Sequence, residues 1–282
     1  MDNIKIGVMG VGFVGETLVK VLSEFYEIIP YDKYKEPYTN PERLSEANVI
    51  FISVPTPMKE TGEIDLSSIY DALDLLSGME FSEKPLVVIR SSVVPGTTDE
   101  LAERYDFGFA FNPEFLREKT ALQDFIESNK VVIGGDDKSF EILESIYRKF
   151  LPNARYIKVD RKTAEMIKYA SNVTLACQIT VANEIHKICE TLGIDYNDVK
   201  DAILLDERIG RNIDVPGKDG NFGFGGKCFP KDINALIYLA KQKGYNPELL
   251  EEVWKSNLKF RENHDWHDIP GATSKNNFGG KI

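Results

Sequence analysis

A glycine-rich turn near the start of the chain has the residue types needed to hold a dinucleotide. Gly10-Val11-Gly12-Phe13-Val14-Gly15 follows the first apolar run and precedes an amphipathic stretch. In such a context the first glycine permits a tight turn, the second lets the backbone approach a pyrophosphate, and the third allows close packing of helix on strand. Asp32 ends the second apolar run, where a carboxylate accepts hydrogen bonds from an adenosine ribose and repels a 2′-phosphate. These residues predict an NAD site; the alternative is a turn whose glycines serve geometry alone.

A cysteine in a second glycine-rich loop could act as a nucleophile. The segment Gly223-Phe224-Gly225-Gly226-Lys227-Cys228-Phe229-Pro230-Lys231-Asp232 presents the thiol of Cys228 just before a predicted helix. The helix dipole and the lysines on either side are expected to stabilise its thiolate. Without these glycines and lysines, a structural thiol would be the better interpretation.

Alternating β-branched runs and helical patterns in residues 1–160 predict a parallel sheet covered by helices on both faces, typical of an α/β doubly wound Rossmann fold. The predicted strands are Ile4 to Met9, Glu27 to Tyr31, Val49 to Val54, Leu86 to Arg90, Gly108 to Phe111 and Val131 to Gly134. The predicted helices between them are Val14 to Ser23, Asp65 to Leu76, Thr97 to Glu103 and Lys138 to Phe150. This domain would carry the dinucleotide.

Residues 161–264 predict an all-helical domain around one long central helix. Thr163 to Leu192 is an unbroken helical pattern that Gly193 ends, with apolar residues on two faces. Cys177 and Cys189 lie within it and are predicted to be small core hydrophobes. Further helices are predicted at Asn197 to Leu205, Asp232 to Lys243 and Glu248 to Asn263. Residues 265–282 are predicted to be a polar, poorly ordered tail.

Composition excludes several classes of function. The chain has 34 basic and 45 acidic side chains and a net charge of −11, which disfavours nucleic acid as a main partner. It has no apolar run near the ~18 residues of a membrane span. Three cysteines without a Cys-x-x-Cys spacing, and a start without a basic and apolar leader, predict a cytoplasmic location. The three histidines form no ligand cluster, so no metal is predicted.

Further short segments stand between the two glycine-rich motifs in a fixed order. They are Ser53 to Pro57, Arg90 to Pro95, Asn112 to Glu118, Ala164 to Asn172 and Asp206 to Gly210. With these segments, the chain resembles the UDP-glucose dehydrogenase and GDP-mannose dehydrogenase family of NAD-dependent nucleotide-sugar dehydrogenases over about residues 1–260.

The resemblance implies a four-electron oxidation of a sugar CH₂OH to a carboxylate, with UDP-glucose as the favoured substrate. Cys228 would attack the aldehyde made by the first hydride transfer, and the second transfer would leave a thioester for water to hydrolyse. Lys168 and Asn172, one helical turn apart, would donate to the oxygen that gains charge. Without the Cys228 motif, these two could equally form a solvated helix edge.

The resemblance also assigns groups that move protons and position water. Asp232 would handle protons and the hydrolytic water, with Glu114 as a second carboxylate. Ser92 occupies a position that is usually threonine in the family and would position water and touch the cofactor. Glu114 could instead merely cap a helix.

Beyond the glycine-rich turn and Asp32, the remaining site residues follow from the same resemblance. The predicted cofactor contacts are Gly10, Val11, Gly12, Phe13, Val14, Gly15, Asp32, Thr56, Glu118 and Lys231. The predicted nucleotide-sugar contacts are Phe115, Leu116, Arg117, Lys168, Asn172, Arg208, Phe224 and Gly225. Arg208 would be supplied across a homodimer formed by the helical domain, although Arg208 could also form an ordinary surface ion pair and Glu118 could be a surface acid.

Enzymes of this family usually continue through a second α/β domain that closes over the nucleotide, and we expect this chain to lack it. Two other functions stay open. One is a two-electron enzyme like the β-hydroxyacid dehydrogenases, which also join a Rossmann domain to a helical domain. The other is a non-catalytic protein that binds NAD.

Overall fold

Short apolar runs form a seven-stranded sheet in the computed structural model, which describes residues 4–274. Its strands are β1 (Lys5–Met9), β2 (Glu27–Tyr31), β3 (Val49–Ile52), β4 (Leu86–Ile89), β5 (Gly108–Phe111), β6 (Lys130–Gly134) and β7 (Arg155–Val159). Within the described residues the strand order is β2-β1-β3-β4-β5-β6-β7. The sheet confirms the predicted Rossmann-like fold class.

The sheet departs from the predicted all-parallel arrangement at one pairing. β5 and β6 are antiparallel, with Phe111 opposite Gly134, whereas the other neighbouring strands are parallel. Only short helical pieces join β5 to β6, and an antiparallel neighbour needs no long crossover helix. β7 was not predicted, because its partly exposed residues give no clear apolar alternation.

Nine α-helices lie within residues 4–274. They are α1 (Phe13–Leu22), α2 (Ser67–Ser77), α3 (Thr97–Arg104), α4 (Ala121–Ile126), α5 (Asp137–Arg148), α6 (Arg161–Leu192), α7 (Tyr196–Ile203), α8 (Phe229–Gln242) and α9 (Glu248–Phe260). α4 was not predicted, since six residues are too few to show a helical period. No helix in this part of the chain has both the length and the apolar composition needed to cross a bilayer.

Side-chain alternation along the strands builds a core on each face of the sheet. Ile50 and Ile52 of β3 join one cluster with residues of α2 and α3. Val49 and Phe51 of the same strand join another with residues of α1, α4 and α5. Because successive side chains of a strand point to opposite faces, both faces are buried and covered by helices.

The long helix α6 has a defined start and end. The side chain of Asp160 accepts a hydrogen bond from the backbone N–H of Thr163 at 2.8 Å, which caps the helix. Gly193 ends it in the left-handed region at φ +71°. The helix therefore begins two residues before the predicted start and ends where predicted.

The chain folds as two compact units, and α6 runs from the first into the second. The first contains the chain up to Thr56 and Leu66–Lys168; the second contains Pro57–Asp65 and the chain from Tyr169 onward. Inclusion of Pro57–Asp65 in the second unit was not predicted. There Met58 N–H donates to the Ala272 carbonyl at 3.0 Å. The functional division at residues 160 and 161 stays a prediction.

The helices of the second unit pack around small apolar clusters. One joins Val173 and Ala176 of α6 to Phe224 and to Ile233 of α8, and Cys177 packs against it, while Cys189 is buried in a second cluster. Cys189 is a core residue, as predicted, whereas Cys177 is half-buried at the edge of its cluster. Residues 265–274 differ from the predicted tail, because Trp266 is only 2% exposed and packs against Met58. The rest of that tail, residues 275–282, lies outside the described residues.

Candidate active site

The turn after β1 has the close approaches that the glycine spacing predicts. Gly10 has φ +84°, and a Cβ there would lie 2.8 Å from the backbone of Ser53. A Cβ at Gly15 would lie 1.9 Å from the Gly10 carbonyl oxygen, so only glycine lets α1 pack this close to the turn. A Cβ at Gly12 would meet no described atom within 4 Å. The turn is therefore closely packed at Gly10 and Gly15, and it leaves space beside Gly12.

Asp32 lies beside this turn. Its carboxylate accepts hydrogen bonds from the backbone N–H of Val11 at 2.8 Å and of Tyr34 at 2.9 Å. The N-cap residue of α1 is Gly12, which has no side chain to cap the helix, so the amides of its first turn can face a phosphate. The open glycine, these amides and the acid fit an NAD molecule.

A lysine that the sequence analysis missed also reaches the turn. Lys35 Nζ donates to the Val11 carbonyl oxygen at 3.1 Å and to Glu16 Oε2 at 3.2 Å. Its position three residues after Asp32 was the only sequence signal for it.

Glu114 and Lys168 form a buried ion pair in the first unit. Lys168 Nζ lies 2.9 Å from Glu114 Oε1 and 2.6 Å from the Glu114 carbonyl oxygen. The side chains are 6% and 4% exposed. The other carboxylate oxygen accepts from Leu116 N–H at 2.6 Å, and no helix starts at Glu114. The helix-cap interpretation of Glu114 and the solvated-edge interpretation of Lys168 are therefore wrong.

Asn172 and Asp232 meet in the second unit. Asn172 Nδ2 donates to Asp232 Oδ2 at 2.6 Å, and Lys231 Nζ donates to Asp232 Oδ1 at 2.6 Å. Asp232 is 1% exposed and Lys231 is 5% exposed. Lys231 thus neutralises a buried carboxylate; its assignment to the cofactor stays a prediction.

Cys228 stands at the N-cap position of α8. The helix begins one turn earlier than predicted, and the backbone N–H of Asp232 donates to the Cys228 carbonyl at 2.8 Å. The thiol side chain is half-buried, and none of the three cysteines forms a disulfide. Cys177, by contrast, lies within α6, where burial raises the pKa of its thiol. A partly accessible thiol at a helix start is the arrangement in which a cysteine can be reactive.

The turns after β3 and β4 are joined at Ser92. Thr56 Oγ1 donates to the Ser92 carbonyl oxygen at 2.8 Å, and Ser91 Oγ donates to the Val54 carbonyl oxygen at 2.7 Å. The Ser92 side chain itself is half-buried. These bonds fix the backbone that presents the Ser92 hydroxyl.

A buried polar network supports the segment that carries Glu114, and sequence reasoning missed it. Arg90, at the end of β4, is 4% exposed and donates to Asn112 Oδ1 at 2.5 Å and to the Tyr147 hydroxyl at 3.1 Å. Asn112 Nδ2 donates to the Val132 carbonyl at 2.7 Å. An arginine following a buried apolar strand was the available signal.

The other predicted contact residues differ in exposure, and the charged ones among them, Arg117, Glu118 and Arg208, are exposed. Arg117 forms a two-pronged pair with Asp124, with bonds of 3.1 and 2.5 Å, and this arginine lowers the pKa of Asp124 to about 2. Arg208 pairs with Asp206 at 2.5 Å and is otherwise in solvent. Glu118 is exposed, whereas Phe115 and Leu116 are half-buried, Phe224 is buried and Gly225 is half-buried. Contacts of these residues with a substrate or cofactor stay predictions.

Comparison with known proteins gives one consistent family. Residues 32–151 match the NAD binding domain of the UDP-glucose/GDP-mannose dehydrogenase family, and residues 162–259 match the central domain of that family. The UDP-glucose 6-dehydrogenase of Rickettsia felis is 40% identical over 238 residues, which are 82% of this chain and 52% of that protein. The chain thus spans about half the length of the curated relatives it matches.

Two solved structures extend the comparison. A UDP-glucose dehydrogenase from the archaeon Pyrobaculum islandicum has a TM-score of 0.82 at 30% identity, with 91% of this chain and 68% of that chain covered. A GDP-mannose dehydrogenase ternary complex from Pseudomonas aeruginosa has a TM-score of 0.67 at 33% identity, with 91% and 69% covered.

The matched domain also confirms the predicted cofactor, NAD. With both family domains matched in order and two solved members covered over two thirds of their length, the chain belongs to the UDP-glucose/GDP-mannose dehydrogenase family.

Proposed function

We propose that the chain oxidises the CH₂OH group of a nucleotide sugar to a carboxylate, with UDP-glucose as substrate and UDP-glucuronate as product. The observation that carries this proposal is the position of Cys228 at the start of α8, one turn before the buried Asp232. The names of the relatives support the reaction class. A thiol suits the covalent role because a thioester, unlike an ester, remains reactive enough to hydrolyse readily.

The reaction balances with one sulfur and one water. NAD⁺ supplies a hydride acceptor twice. After the first oxidation the Cys228 sulfur bonds to the aldehyde carbon, and the second oxidation turns this thiohemiacetal into a thioester. Water then breaks the carbon–sulfur bond and restores the thiol. Overall, one alcohol, one water and two NAD⁺ give one carboxylate, two NADH and three protons.

Lys168 and Asn172 donate to the sugar oxygen that gains negative charge. Each is buried and held by a carboxylate, Lys168 by Glu114 and Asn172 by Asp232. Donors that are oriented before the reaction stabilise developing charge without a reorganisation cost.

Asp232 and Glu114 take up the protons that the alcohol and the water release. Ser92 positions the hydrolytic water. The hydrogen bond from Thr56 Oγ1 to the Ser92 carbonyl oxygen holds the backbone of Ser92 in place. Buried carboxylates within hydrogen-bond reach of donors are suited to this general acid–base role.

The predicted contacts of Phe115, Leu116, Arg117, Phe224 and Gly225 with the nucleotide sugar are part of this proposal. So is Arg208 as a contact supplied by a second copy of the chain in a homodimer. We also propose a cytoplasmic location, since all three cysteines are thiols.

The test is incubation of the purified protein with NAD⁺ and UDP-glucose. We expect two NADH for each sugar oxidised, and we expect Cys228→Ser to block the overall oxidation. Cys177→Ser is the matched control, because that thiol lies within α6 and packs against an apolar cluster, so its loss should leave the stoichiometry unchanged.

Two results would contradict the proposal in different ways. One NADH per substrate, together with indifference to thiol alkylation, would favour a two-electron enzyme of the β-hydroxyacid dehydrogenase type. Calorimetric binding of NAD⁺ without turnover on UDP-, GDP- or dTDP-sugars would favour a non-catalytic NAD-binding protein.

A further inference from the structure

The loop that presents Cys228 has no regular secondary structure to hold it. We define the cysteine loop as residues 217–228; three of its glycines, Gly220, Gly223 and Gly226, have positive φ angles of 77°, 69° and 74°. A nucleophile must lie ~3 to 3.5 Å from its target, and a displacement of ~1 Å can cost ~100-fold in rate. Such a loop therefore needs support from outside itself.

The first support is Asn257, in the last turn of α9. It is 0% exposed, its Oδ1 accepts from Phe224 N–H at 2.6 Å, and its Nδ2 donates to the Phe224 carbonyl at 2.9 Å. One side-chain amide thus satisfies both backbone groups of Phe224. A Cβ at Gly223 would lie 2.5 Å from Asn257 Oδ1, so the loop lies directly against the helix.

The second support is Arg261, four residues later. Its side chain is 3% exposed, and its Nη2 lies 2.8 Å from Asp219 Oδ2 and 3.0 Å from Asp265 Oδ2. A Cβ at Gly225 would lie 2.2 Å from Arg261 Cζ, so this arginine packs against the loop backbone. Two carboxylates compensate the buried charge, which fixes its position.

The third support is Asp265, four residues after Arg261. Its carboxylate oxygens accept from the backbone N–H of Gly226 at 3.1 and 3.2 Å. Gly226 is two residues before Cys228. Asn257, Arg261 and Asp265 therefore hold the cysteine loop at Phe224, Gly225, Gly226 and Asp219.

We propose that Asn257, Arg261 and Asp265 are positioning residues that direct the Cys228 sulfur in the covalent steps. The inference rests on the proposed function, because it assigns the three residues to that reaction. They touch the loop and act through it. The position of the sulfur is then decided jointly by α8, which begins beside it, and by the α9 end, which holds the preceding backbone.

Asp265→Ala tests this inference with a readout independent of turnover. At pH 10, where an ordinary exposed thiol is largely ionised, the change in the iodoacetamide alkylation rate between wild type and variant reports a change in access to the sulfur. We expect Cys228 to be alkylated about 3- to 10-fold faster in Asp265→Ala, with Cys177 unchanged, as measured by peptide mass spectrometry. Asp268→Ala is the control, because Asp268 is exposed on the same segment. Equal Cys228 rates in wild type and Asp265→Ala, or an equal increase at Cys177, would overturn the inference.

The turnover assay adds a second readout. We expect Asp265→Ala to lower kcat about 10- to 100-fold with the KM for NAD⁺ unchanged, and Asp265→Asn, which keeps an oxygen for Gly226 N–H, to recover most of it. If Asp265→Ala does not fold, the alkylation comparison passes to Asp265→Asn, which removes the charge that pairs with Arg261. A smaller increase at Cys228 is then expected, and a rate equal to wild type would overturn the inference. An inactive wild type with the expected alkylation pattern would remove the proposed function and leave loop positioning in place.

Discussion

The charged groups of the candidate site are buried as pairs. Lys168 and Glu114 have side chains 4% and 6% exposed, and Lys231 and Asp232 have side chains 6% and 1% exposed. Removing a charge from water is costly unless its partner and further hydrogen bonds compensate it. Each pair meets this condition, since every carboxylate oxygen accepts at least one hydrogen bond. Pairing fixes the positions of both partners of each pair within the protein.

Lys168→Met tests this pairing. We expect it to lower the free energy of unfolding by about 3 to 5 kcal/mol, because it leaves the Glu114 carboxylate buried without its cation. Adding Glu114→Gln to Lys168→Met should restore about half of that loss, since no unpaired charge remains. Urea unfolding of the single and double variants gives the coupling, and additive effects would contradict the buried pair.

At the scale of elements, α3 is capped by a distant helix. The Glu165 carboxylate of α6 accepts from Gly96 N–H at 2.5 Å, Thr98 N–H at 2.8 Å and the Thr98 hydroxyl at 2.6 Å. No side chain in the cap position of α3 does so. Burial raises the pKa of Glu165 to about 7, although these hydrogen bonds lower it. One residue therefore joins α3 to the turn of α6 that precedes Lys168.

The raised pKa predicts how stability depends on pH. The pKa of a glutamate is ordinarily 4.5. Between pH 4.5 and about 7, the folded chain therefore keeps the Glu165 proton that the unfolded chain loses. The contribution of Glu165 to the free energy of unfolding is therefore full below pH 4.5 and decreases by about 3 kcal/mol as the pH rises to about 7.

Urea unfolding at pH 4.5 to 8 measures this effect as the difference between wild type and Glu165→Gln, which cannot titrate. The matched control is Glu103→Gln, an exposed residue on α3. A difference between wild type and Glu165→Gln that stays constant over this range would contradict the prediction.

At the scale of the whole molecule, the second unit leaves apolar surface in solvent. Val181, Ile188 and Leu192 of α6 are 59%, 53% and 66% exposed, and Leu205 is 85% exposed. Spacings of seven and four residues place the three α6 side chains on one helix face. Several large apolar side chains exposed along one helix face are typical of a protein interface. A homodimer through this face stays a prediction.

Sedimentation velocity tests the dimer. We expect wild type to be a dimer at micromolar concentration and Ile188→Lys to be a monomer, because a charge would be buried in the interface. Gln242→Lys, an equal change in charge at an exposed site on α8, should remain a dimer. A wild-type monomer at this concentration would remove the prediction.

The amino-acid sequence alone determined the features that depend on neighbouring residues. The glycines at 10, 12 and 15, the strands β1 to β6, the long helix and the thiol before α8 were all predictable, because turns, periodicity and caps are local. The motif order also gave the family. Boundaries differed by a few residues, and the partly exposed β7 and the six-residue α4 lack a readable period.

Only the tertiary structure decided which distant residues meet. Lys168 with Glu114, Asn172 with Asp232 and Glu165 with Thr98 are separated by 54, 60 and 67 residues. The hydrogen bond between Asn257 and the cysteine loop is likewise set by the fold. So is the antiparallel pairing of β6 with β5. The physical reason is that a buried polar group must find a partner wherever packing brings one, and no local pattern encodes that partner.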